Sequence, residues 1–566
     1  MKKVISILLL LSMLVCTIPA VSLTSYAEEN PTIEPDTSWY IGHESETEYK
    51  LYDAADLLGL AQLLATAGGT YNNVFKGKTI YIENDIDLNP GWDASTGSKP
   101  TNIWPIMPNS RDFAGTINGN SHTISGVYQE NTANYAGMFG PVIGDSVTVT
   151  DLAITNSYSK CNNANGHGML FGTIAGNAIV TLSNIYVDAI VVNTDTNGDD
   201  YGVGGIVGGV ISASGTTDSF SMTNCVFDGT IRVNPSASGG TTYVGGLIGR
   251  YNELGTFSIN NCASYGTFEA TASNGAIVMI GGIMGYNSAT SHSITIENCI
   301  SRPTLSKNIT EGDTTSQIIC GSIVGASRYN STTAFAKTKY ENNICVTANI
   351  AYSGKQRVLG CGYTQTHTKA GIYCDSADYY ANSIVNNSHG VDASAITGEA
   401  ATTYLEEKEY TGWSVTESYP MPTAVLDMLA TPVAEIVGYQ ATDEEDGKFN
   451  FRIVGVLNVE ENDLANTVLS ISATATYTLD GKKTLTLENY PINTVYETIN
   501  GNSDTGLVTY DAKGLGGNYI FVLPCKNVPA NATDIKVEIT VRYAVNDDNG
   551  TATRTLYVEA PKDAVN

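Results

Sequence analysis

Basic residues are scarce in this chain of 566 residues, which has 29 Lys and Arg against 57 Asp and Glu. The formal net charge is −28, and only 6 His could modify it. Proteins bind polyanions mainly through Lys and Arg, so this charge balance argues against nucleic acid as a partner. We interpret the acidity as the solubilising surface of an exported protein.

Catalytic motifs are also missing. His43-Glu44 begins a zinc-peptidase motif, but Thr47 stands where the second His is needed. No Gly-x-Ser-x-Gly elbow or nucleotide-binding glycine loop is present, and the His residues show no pairing with a nucleophile. Residues 195–200 resemble a calcium loop, yet Asp200 replaces its essential Gly and Ile206 its final Glu. The sequence therefore predicts no catalytic, cofactor-binding or metal-binding residue.

Long apolar runs are confined to the N-terminus. Lys2 and Lys3 precede the apolar residues 4–15, and Ser25-Tyr26-Ala27 offers small residues at the positions that flank a cleavage site. We predict a signal peptide over 1–27 and a secreted, extracellular product without membrane insertion. The last five residues resemble no hydrophobic anchor, so any attachment to a cell surface is expected to be non-covalent.

Paired cysteines are absent too, because no Cys-x-x-Cys occurs. Nine cysteines remain after the predicted cleavage, at 161, 225, 262, 299, 320, 345, 361, 374 and 525. An odd number cannot form a closed set of disulfides. Since three of them recur at a fixed position in a repeat, we expect mostly free, buried thiols.

That repeat is the most informative feature of the sequence. Six blocks with the pattern small-small-apolar-apolar-Gly occupy residues 136–140, 168–172, 204–208, 245–249, 281–285 and 321–325, and a weaker copy lies at 359–363. A second block, Asn-Cys, ends at Cys225, Cys262 and Cys299. Three short extended stretches in each period predict one coil of a three-sheet solenoid. Stacked coils would align the blocks as equivalent strands, the cysteines as an inward ladder and the asparagines as hydrogen-bonded rows.

The blocks resemble the GLUG motif, a repeat of bacterial adhesins and of large immunoglobulin A-cleaving metallopeptidases. The opening segments 52–61, 75–88 and 113–126 are similar to the start of such solenoids, and Trp413 with residues 419–422 is similar to their end. The resemblance implies an all-β fold, a right-handed parallel β-helix over 49–425. It names no single activity, because one solenoid fold can carry many functions.

Two further regions complete the predicted organisation. After a linker at 28–48, apolar residues at helical spacing between Ala54 and Ala65 predict a short helix that caps the first coil. A linker at 426–432 precedes residues 433–566, where alternating apolar and polar residues such as those at 535–545 predict a β-sandwich. This sandwich resembles the immunoglobulin-like modules of exported Gram-positive proteins.

Function is inferred by exclusion. We predict a secreted, non-catalytic surface or extracellular binding protein, adhesin-like, whose partner is a glycan or a host or cell-surface protein. The alternative is a carbohydrate-active β-helix enzyme, a polysaccharide lyase or glycoside hydrolase, which needs paired carboxylates on one exposed sheet. Candidate carboxylates are Asp85, Asp87, Asp145, Asp151, Asp188, Asp228 and Glu269.

Overall fold

The computed structural model describes most of the chain between residues 32 and 559. The ranges outside the described residues are 1–31, 67–74, 108–112, 132–134, 163–164, 195–200, 212–218, 236–240, 253–254, 289–292, 310–312, 314–315, 329–337, 347–361, 364–384, 387–388, 392, 417–418, 430–432, 446–447, 459–467, 480–481, 487–506, 510–517, 530–532, 546–549 and 560–566.

The described strands between residues 48 and 391 form a parallel β-solenoid of about six coils, as predicted. Its 19-stranded sheet contains Glu48–Leu51, Thr79–Ile82, Ile86–Asp87, Gly115–Ser125, Tyr128–Asn131, Ser146–Cys161, Ile179–Asn193, Ser219–Phe227, Thr230–Val233, Thr256–Asn260, Ala263–Ser264, Thr267–Ala272, Ser293–Glu297, Ile300–Ser301, Thr304–Ile309, Thr338–Glu341, Ile344–Val346, Val385–Asn386 and His389–Val391. A six-stranded sheet contains Tyr135–Ala136, Gly166–His167, Tyr201–Gly204, Thr241–Gly245, Ile277–Gly281 and Gln317–Gly321. A seven-stranded sheet contains Val142–Ile143, Phe171–Ala175, Val207–Ile211, Ile248–Asn252, Met284–Asn287, Val324–Arg328 and Gly362–Tyr363.

The Gly-ending blocks are equivalent between coils, but they are not single strands. Gly204 ends a strand of the six-stranded sheet, a turn follows, and Val207 begins a strand of the seven-stranded sheet. Gly204 pairs with Gly245, and Val207 pairs with Ile248 at the same place in the next coil. The prediction of aligned blocks is therefore confirmed, and the prediction that each block forms one strand is wrong.

The block glycines bring the two smaller sheets into main-chain contact. A Cβ added to Gly249 would lie 2.2 Å from the amide nitrogen of Val203, and one added to Gly285 would lie 2.6 Å from that of Val244. Real Cβ atoms do not approach so closely, so any larger residue would force the sheets apart. The repeat requires glycine here because two backbones meet.

The solenoid interior is apolar and contains the predicted cysteine ladder. Cys225, Cys262 and Cys299 are fully buried in the core cluster, and the amide of Cys225 donates to Cys262 Sγ over 3.3 Å. Each thiol donates to the carbonyl two residues before it, over 3.1–3.3 Å. Six described cysteines are free and buried, which confirms for them the prediction of unpaired, packed thiols, whereas Cys361 and Cys374 lie outside the described residues.

Helix α1, Ala54–Ala65, forms where the helical spacing predicts it. Asp53 caps its start by accepting hydrogen bonds from the amides of Ala55 and Asp56. Leu57, Leu60 and Leu64 enter the core cluster of the solenoid. The helix therefore adds apolar contacts to the first coils.

The described residues between 393 and 429 return along the outside of the 19-stranded sheet, and we name this segment the strap. It contains a 3-10 turn at Ala393–Ile396, helix α2 at Gly398–Glu407, the antiparallel strands Trp413–Val415 and Pro420–Pro422, and helix α3 at Thr423–Leu429. Its apolar side chains pack on an outward stripe made by Ala153, Val226, Ala263, Ile300 and Ile344. Helix α3 extends into the segment 426–432, which the sequence predicted to be a linker.

The described residues beyond 432 form two four-stranded antiparallel sheets. The first contains Val433–Glu445, Lys448–Asn458, Leu507–Thr509 and Asn518–Pro529, and the second contains Val468–Leu479, Lys482–Thr486, Thr533–Val545 and Gly550–Glu559. A further 3-10 turn, Ala94–Thr96, lies in the loop that precedes Gly115–Ser125. The antiparallel strands agree with the all-β prediction, and an immunoglobulin-like arrangement of these sheets stays a prediction.

Candidate functional site: a hydroxyl face and a tyrosine–aspartate clasp

One outward surface of the 19-stranded sheet is lined by hydroxyl groups, and we name it the hydroxyl face. Its central row holds one residue from each of seven paired strands: Thr79, Thr116, Thr148, Thr181, Ser221, Ser258 and Thr295. Two residues before it along the strands, an edge row holds Ser146, Ile179, Ser219, Thr256 and Ser293. Two residues after it, a corner row holds Tyr81, Asn118, Thr150, Ser183, Thr223, Asn260 and Glu297.

Glu297 is the one charged residue in these three rows, although the chain has 86 Asp, Glu, Lys and Arg. Other charged residues flank the central row at its two ends, where Glu48 pairs with Thr79 and Lys339 pairs with Thr295. Lys50 lies beside Tyr81 at the start of the corner row and forms an ion pair with Glu83 over 3.0 Å. Apart from Glu297 at one corner, the hydroxyl face is therefore an uncharged strip on an acidic protein.

A ladder of amides fixes the corner beside the hydroxyl face. Asp151, Asn184, Asn224 and Asn261 all have positive φ, between 53° and 55°. Asn184 Nδ2 donates to Asp151 Oδ1 over 2.7 Å, Asn224 Nδ2 to Asn184 Oδ1 over 2.9 Å, and Asn261 Nδ2 to Asn224 Oδ1 over 2.7 Å. Asn tolerates the left-handed conformation better than most residues. The predicted asparagine ladder is thus confirmed, and it gives each coil the same bend.

The ladder ends at Asn261, because the next asparagine, Asn298, donates to Asn260 Oδ1 over 2.9 Å instead. Asn261 Nδ2 also donates to the carbonyl of Gly412 in the strap, over 3.3 Å. The strap therefore contacts the corner at Asn261, where the ladder of side-chain hydrogen bonds ends.

Beyond the corner, the strap is held by a cluster that we name the clasp: Asp228, Tyr186, Tyr265, Arg302 and Tyr419. The Tyr419 hydroxyl donates to Asp228 Oδ2, and the Tyr265 hydroxyl donates to the carbonyl of Pro420. The rings of Tyr265 and Tyr419 stack with centroids 3.9 Å apart, and the Arg302 guanidinium lies 5.9 Å from the Tyr419 ring centroid. The clasp joins residues 191 positions apart in sequence.

Two of the seven candidate carboxylates meet beside this clasp. Val187 pairs with Phe227, which places Asp188 next to Asp228 on adjacent coils. Loss of solvation raises the pKa of Asp228, although hydrogen bonds from Tyr419 and Tyr186 oppose that rise. Reduced solvation and repulsion from Asp228 raise the pKa of Asp188, whose side chain is the more exposed of the two. One proton can therefore be retained by this pair above the usual range for a carboxyl group.

The other candidate carboxylates are engaged separately. Asp85 Oδ1 lies 3.2 Å from His122 Nδ1, and Asp145 pairs with Lys76 over 2.5 Å. Asp87, Asp151 and Glu269 bind the amide of Asn89, the Asn184 side chain and the Arg232 guanidinium, respectively. The sequence supplied the carboxylates but did not indicate that Asp188 and Asp228 are neighbours.

The structure gives no support to the zinc-peptidase-like motif at His43, and the calcium-loop-like motif lies outside the described residues. His43 is exposed and lies 2.9 Å from Glu46 Oε1, and the calcium-like segment 195–200 is outside the described residues. Within the described ranges, no three His, Cys, Asp or Glu side chains form a group that could hold a metal ion. Among the same residues, no helix combines the length and apolarity needed to cross a membrane.

A buried polar row escaped sequence analysis. Gln129 Nε2 donates to Ser159 Oγ over 2.7 Å, and Ser159 Oγ lies 2.7 Å from His167 Nε2. Burial lowers the pKa of His167 to about 3. These residues come from different strands, and no local motif connects them, so no sequence signal identified the row.

The known proteins with similar sequences match only part of the chain. No family model matches it. A protein of Evansella cellulosilytica described as a "Putative Gly-rich membrane protein" is 30% identical over 173 residues, 29% of this chain and 17% of that protein. Halomucin of Haloquadratum walsbyi is 30% identical over 178 residues, 31% of this chain and 2% of that protein. The chain thus spans less than a fifth of either relative.

One solved structure is similar across more of the chain. It is described as a "putative immunoglobulin A1 protease" from Bacteroides ovatus, and the match covers 67% of this chain and 92% of that chain at 19% identity, with a TM-score of 0.40. This finding corrects the prediction that the chain is not an enzyme, because the similar protein is described as a protease. Missing sequence motifs therefore do not establish a non-catalytic role.

Proposed function

We propose that this chain is an extracellular or cell-surface protein that binds an extended, neutral glycan on its hydroxyl face. The N-terminal signal-like segment and the similarity to a protein described as a membrane protein support a place at or outside the cell surface. The GLUG resemblance, shared with bacterial adhesins, supports a binding role.

The observation that carries the proposal is the neutral, hydroxyl-rich surface on an acidic protein. Hydroxyl and amide groups donate and accept hydrogen bonds, as the hydroxyls of a sugar do. A surface whose one charge is Glu297 at a corner does not favour ionic ligands, and the net charge of −28 repels polyanions. Neutral polysaccharide therefore fits this surface better than nucleic acid or a sulfated glycan.

The binding test is a glycan array probed with the chain from residue 28 onward. We expect retention on neutral glycans and little retention on sulfated or uronic-acid glycans. Thr181→Lys places a charge at the centre of the hydroxyl face and should weaken binding at least tenfold. Thr304→Lys, an equivalent change at an exposed strand position elsewhere, is the matched control. Retention on anionic glycans alone, or equal loss in both variants, would contradict the proposal.

A second candidate function is cleavage of a bound polysaccharide, and the Asp188–Asp228 pair favours it. A carboxyl group with a raised pKa can donate a proton to a leaving oxygen, while a neighbouring carboxylate acts as a base. Tyr419 and Tyr186 hold Asp228 in place, and Asp188 is exposed to a substrate. A polysaccharide panel monitored for reducing ends and unsaturated products tests this activity. Asp188→Asn should abolish product release and leave glycan binding unchanged, and the absence of product from every polysaccharide would contradict cleavage.

We further propose that α1 covers the first coil and that residues 433–566 fold as a separate immunoglobulin-like sandwich. The burial of Leu57, Leu60 and Leu64 supports the first assignment, and the two antiparallel sheets support the second. Limited proteolysis near residues 430–432 should release a resistant C-terminal fragment. Rapid digestion of that fragment would contradict the second assignment.

A further inference from the structure

Beyond the chemical class of the ligand, the geometry of the hydroxyl face indicates its physical form. We propose that the face binds the surface of an ordered fibre of neutral polysaccharide, in which parallel chains repeat, rather than one isolated chain. This inference rests on the proposed function and specifies its ligand. The observation behind it is that the hydroxyl face repeats in two directions.

Along the solenoid axis, the hydroxyl residues of one row recur at the spacing between paired strands. The central row has one hydroxyl residue on each of seven consecutive strands, from Thr79 to Thr295. Neighbouring strands are about 4.8 Å apart, so the row is roughly 29 Å long. A ligand that contacts the whole row must itself present binding groups at regular intervals over that length.

Along each strand, the outward residues of neighbouring rows are two positions apart. Outward side chains two positions apart are separated by about 6.6 Å in a parallel strand. The edge, central and corner rows therefore cover a width of roughly 13 Å. One extended polymer chain can follow one row. Three parallel rows at a fixed spacing match several polymer chains that lie side by side at a fixed spacing.

The face is also rigid, which matters for an ordered ligand. Each residue of the central row from Thr116 to Thr295 lies between two buried neighbours, such as Val180 and Leu182 on either side of Thr181. Five of the seven residues in the central row are Thr, whose β-branched side chain has restricted rotation. The amide ladder from Asp151 to Asn261 fixes the adjoining corner. Little conformational freedom is left to lose when a rigid surface binds.

The rows contain few aromatic rings, since Tyr81 is their one aromatic residue. A site for a single flexible chain commonly relies on ring stacking against individual sugars. Here many equivalent polar groups replace a few strong contacts. Each contributes little alone, so affinity depends on many of them engaging together, which an ordered surface permits and a disordered chain does not.

The experiment compares ordered and disordered forms of the same sugar. The chain from residue 28 onward is incubated with microcrystalline cellulose and crystalline chitin, with acid-swollen cellulose, and with cellohexaose, and binding isotherms are measured by depletion or calorimetry. We expect an affinity for at least one crystalline form at least tenfold higher than for swollen cellulose or cellohexaose. Thr181→Lys should remove at least nine-tenths of this binding, and Thr304→Lys should leave it unchanged.

A second variant, Thr181→Val, removes one hydroxyl and keeps the branched shape, so a smaller loss of about two- to threefold is expected from it. Circular dichroism and thermal unfolding of each variant identify any change due to misfolding. Equal affinity for crystalline and disordered forms would overturn this inference and leave the proposed function in place. Absence of binding to every neutral glycan, soluble or crystalline, would overturn both.

Discussion

Acidification should destabilise the solenoid through one buried residue, His167. Its side chain is fully buried, and burial lowers its pKa to about 3 from the ordinary 6.5. Gln129 donates to Ser159, so the Ser159 hydroxyl is free to donate to His167 Nε2, which requires an unprotonated acceptor nitrogen. The folded state therefore holds a neutral imidazole.

The direction of the pH effect follows from this difference. Below pH 6.5 the unfolded chain binds a proton at His167 that the folded chain does not bind until about pH 3. The free energy of unfolding therefore falls as the pH falls through this window. At about 1.36 kcal/mol per pH unit, the loss due to this residue reaches about 2.7 kcal/mol at pH 4.5.

His167→Gln removes the titrating group and keeps an amide that can bind Ser159. Urea unfolding of both proteins between pH 7 and pH 4 measures the difference in their free energies of unfolding. This difference should change in favour of the variant by about 2 to 3 kcal/mol between pH 7 and pH 4.5. Other carboxylates titrate in both proteins, so the comparison removes their contribution. His43→Gln, at an exposed site, is the control. Parallel pH profiles for wild type and His167→Gln would refute the reasoning.

Four shorter predictions concern the scaffold. Gly249→Ala should lower the free energy of unfolding by roughly 3 kcal/mol or more, because the added Cβ would lie 2.2 Å from a backbone nitrogen. A Cβ added at Gly209 would meet its nearest atoms at 3.4 Å, so Gly209→Ala should lower the free energy of unfolding by about 1 kcal/mol or less. Thermal unfolding of both variants measures the difference. Asn224→Ala breaks two ladder hydrogen bonds and should cost about 2 kcal/mol; an unchanged unfolding midpoint would contradict a structural role for the ladder. Tyr419→Phe should cost about 1.5 kcal/mol and increase hydrogen exchange in the strap, and unchanged exchange would show that the clasp does not hold it. The six described thiols should react with a thiol reagent only after denaturation, since burial raises the pKa of Cys320 to about 11 and of Cys345 to about 12; rapid native reaction would contradict their packing.

The sequence predicted the features that recur in every coil. A repeat that stacks on itself places equivalent residues one above another, so spacing alone predicted the inward ladder of Cys225, Cys262 and Cys299 and the asparagine row at the corner. The repeat also predicted the parallel solenoid. Its glycines were recognised, but spacing could not show that they bring two sheets into contact, because that contact joins residues of different coils.

The candidate site was less predictable, because it depends on which residues of irregular coils pair. The last glycines of the six blocks are separated by unequal intervals, with a step of 32 between residues 140 and 172 and of 41 between 208 and 249. Loops of different length cause this variation, so the rows of the hydroxyl face can be recognised only when the pairing of the strands is known. The clasp is less visible still, since Tyr419 reaches Asp228 from outside the repeat.

The solenoid divides its residues by the direction in which their side chains point. Inward positions are constrained by packing, because each must fill space against the same position in the coils above and below. Outward positions have no such constraint, and the stripe below the strap is apolar only because the strap covers it. The hydroxyl face is therefore informative, since packing does not require Ser or Thr at the same outward position on seven strands. Solubility alone would be met by charged residues, which this chain has in abundance. Only Glu297 at one corner brings a charge to the face, which supports a ligand that is itself neutral and regularly repeating.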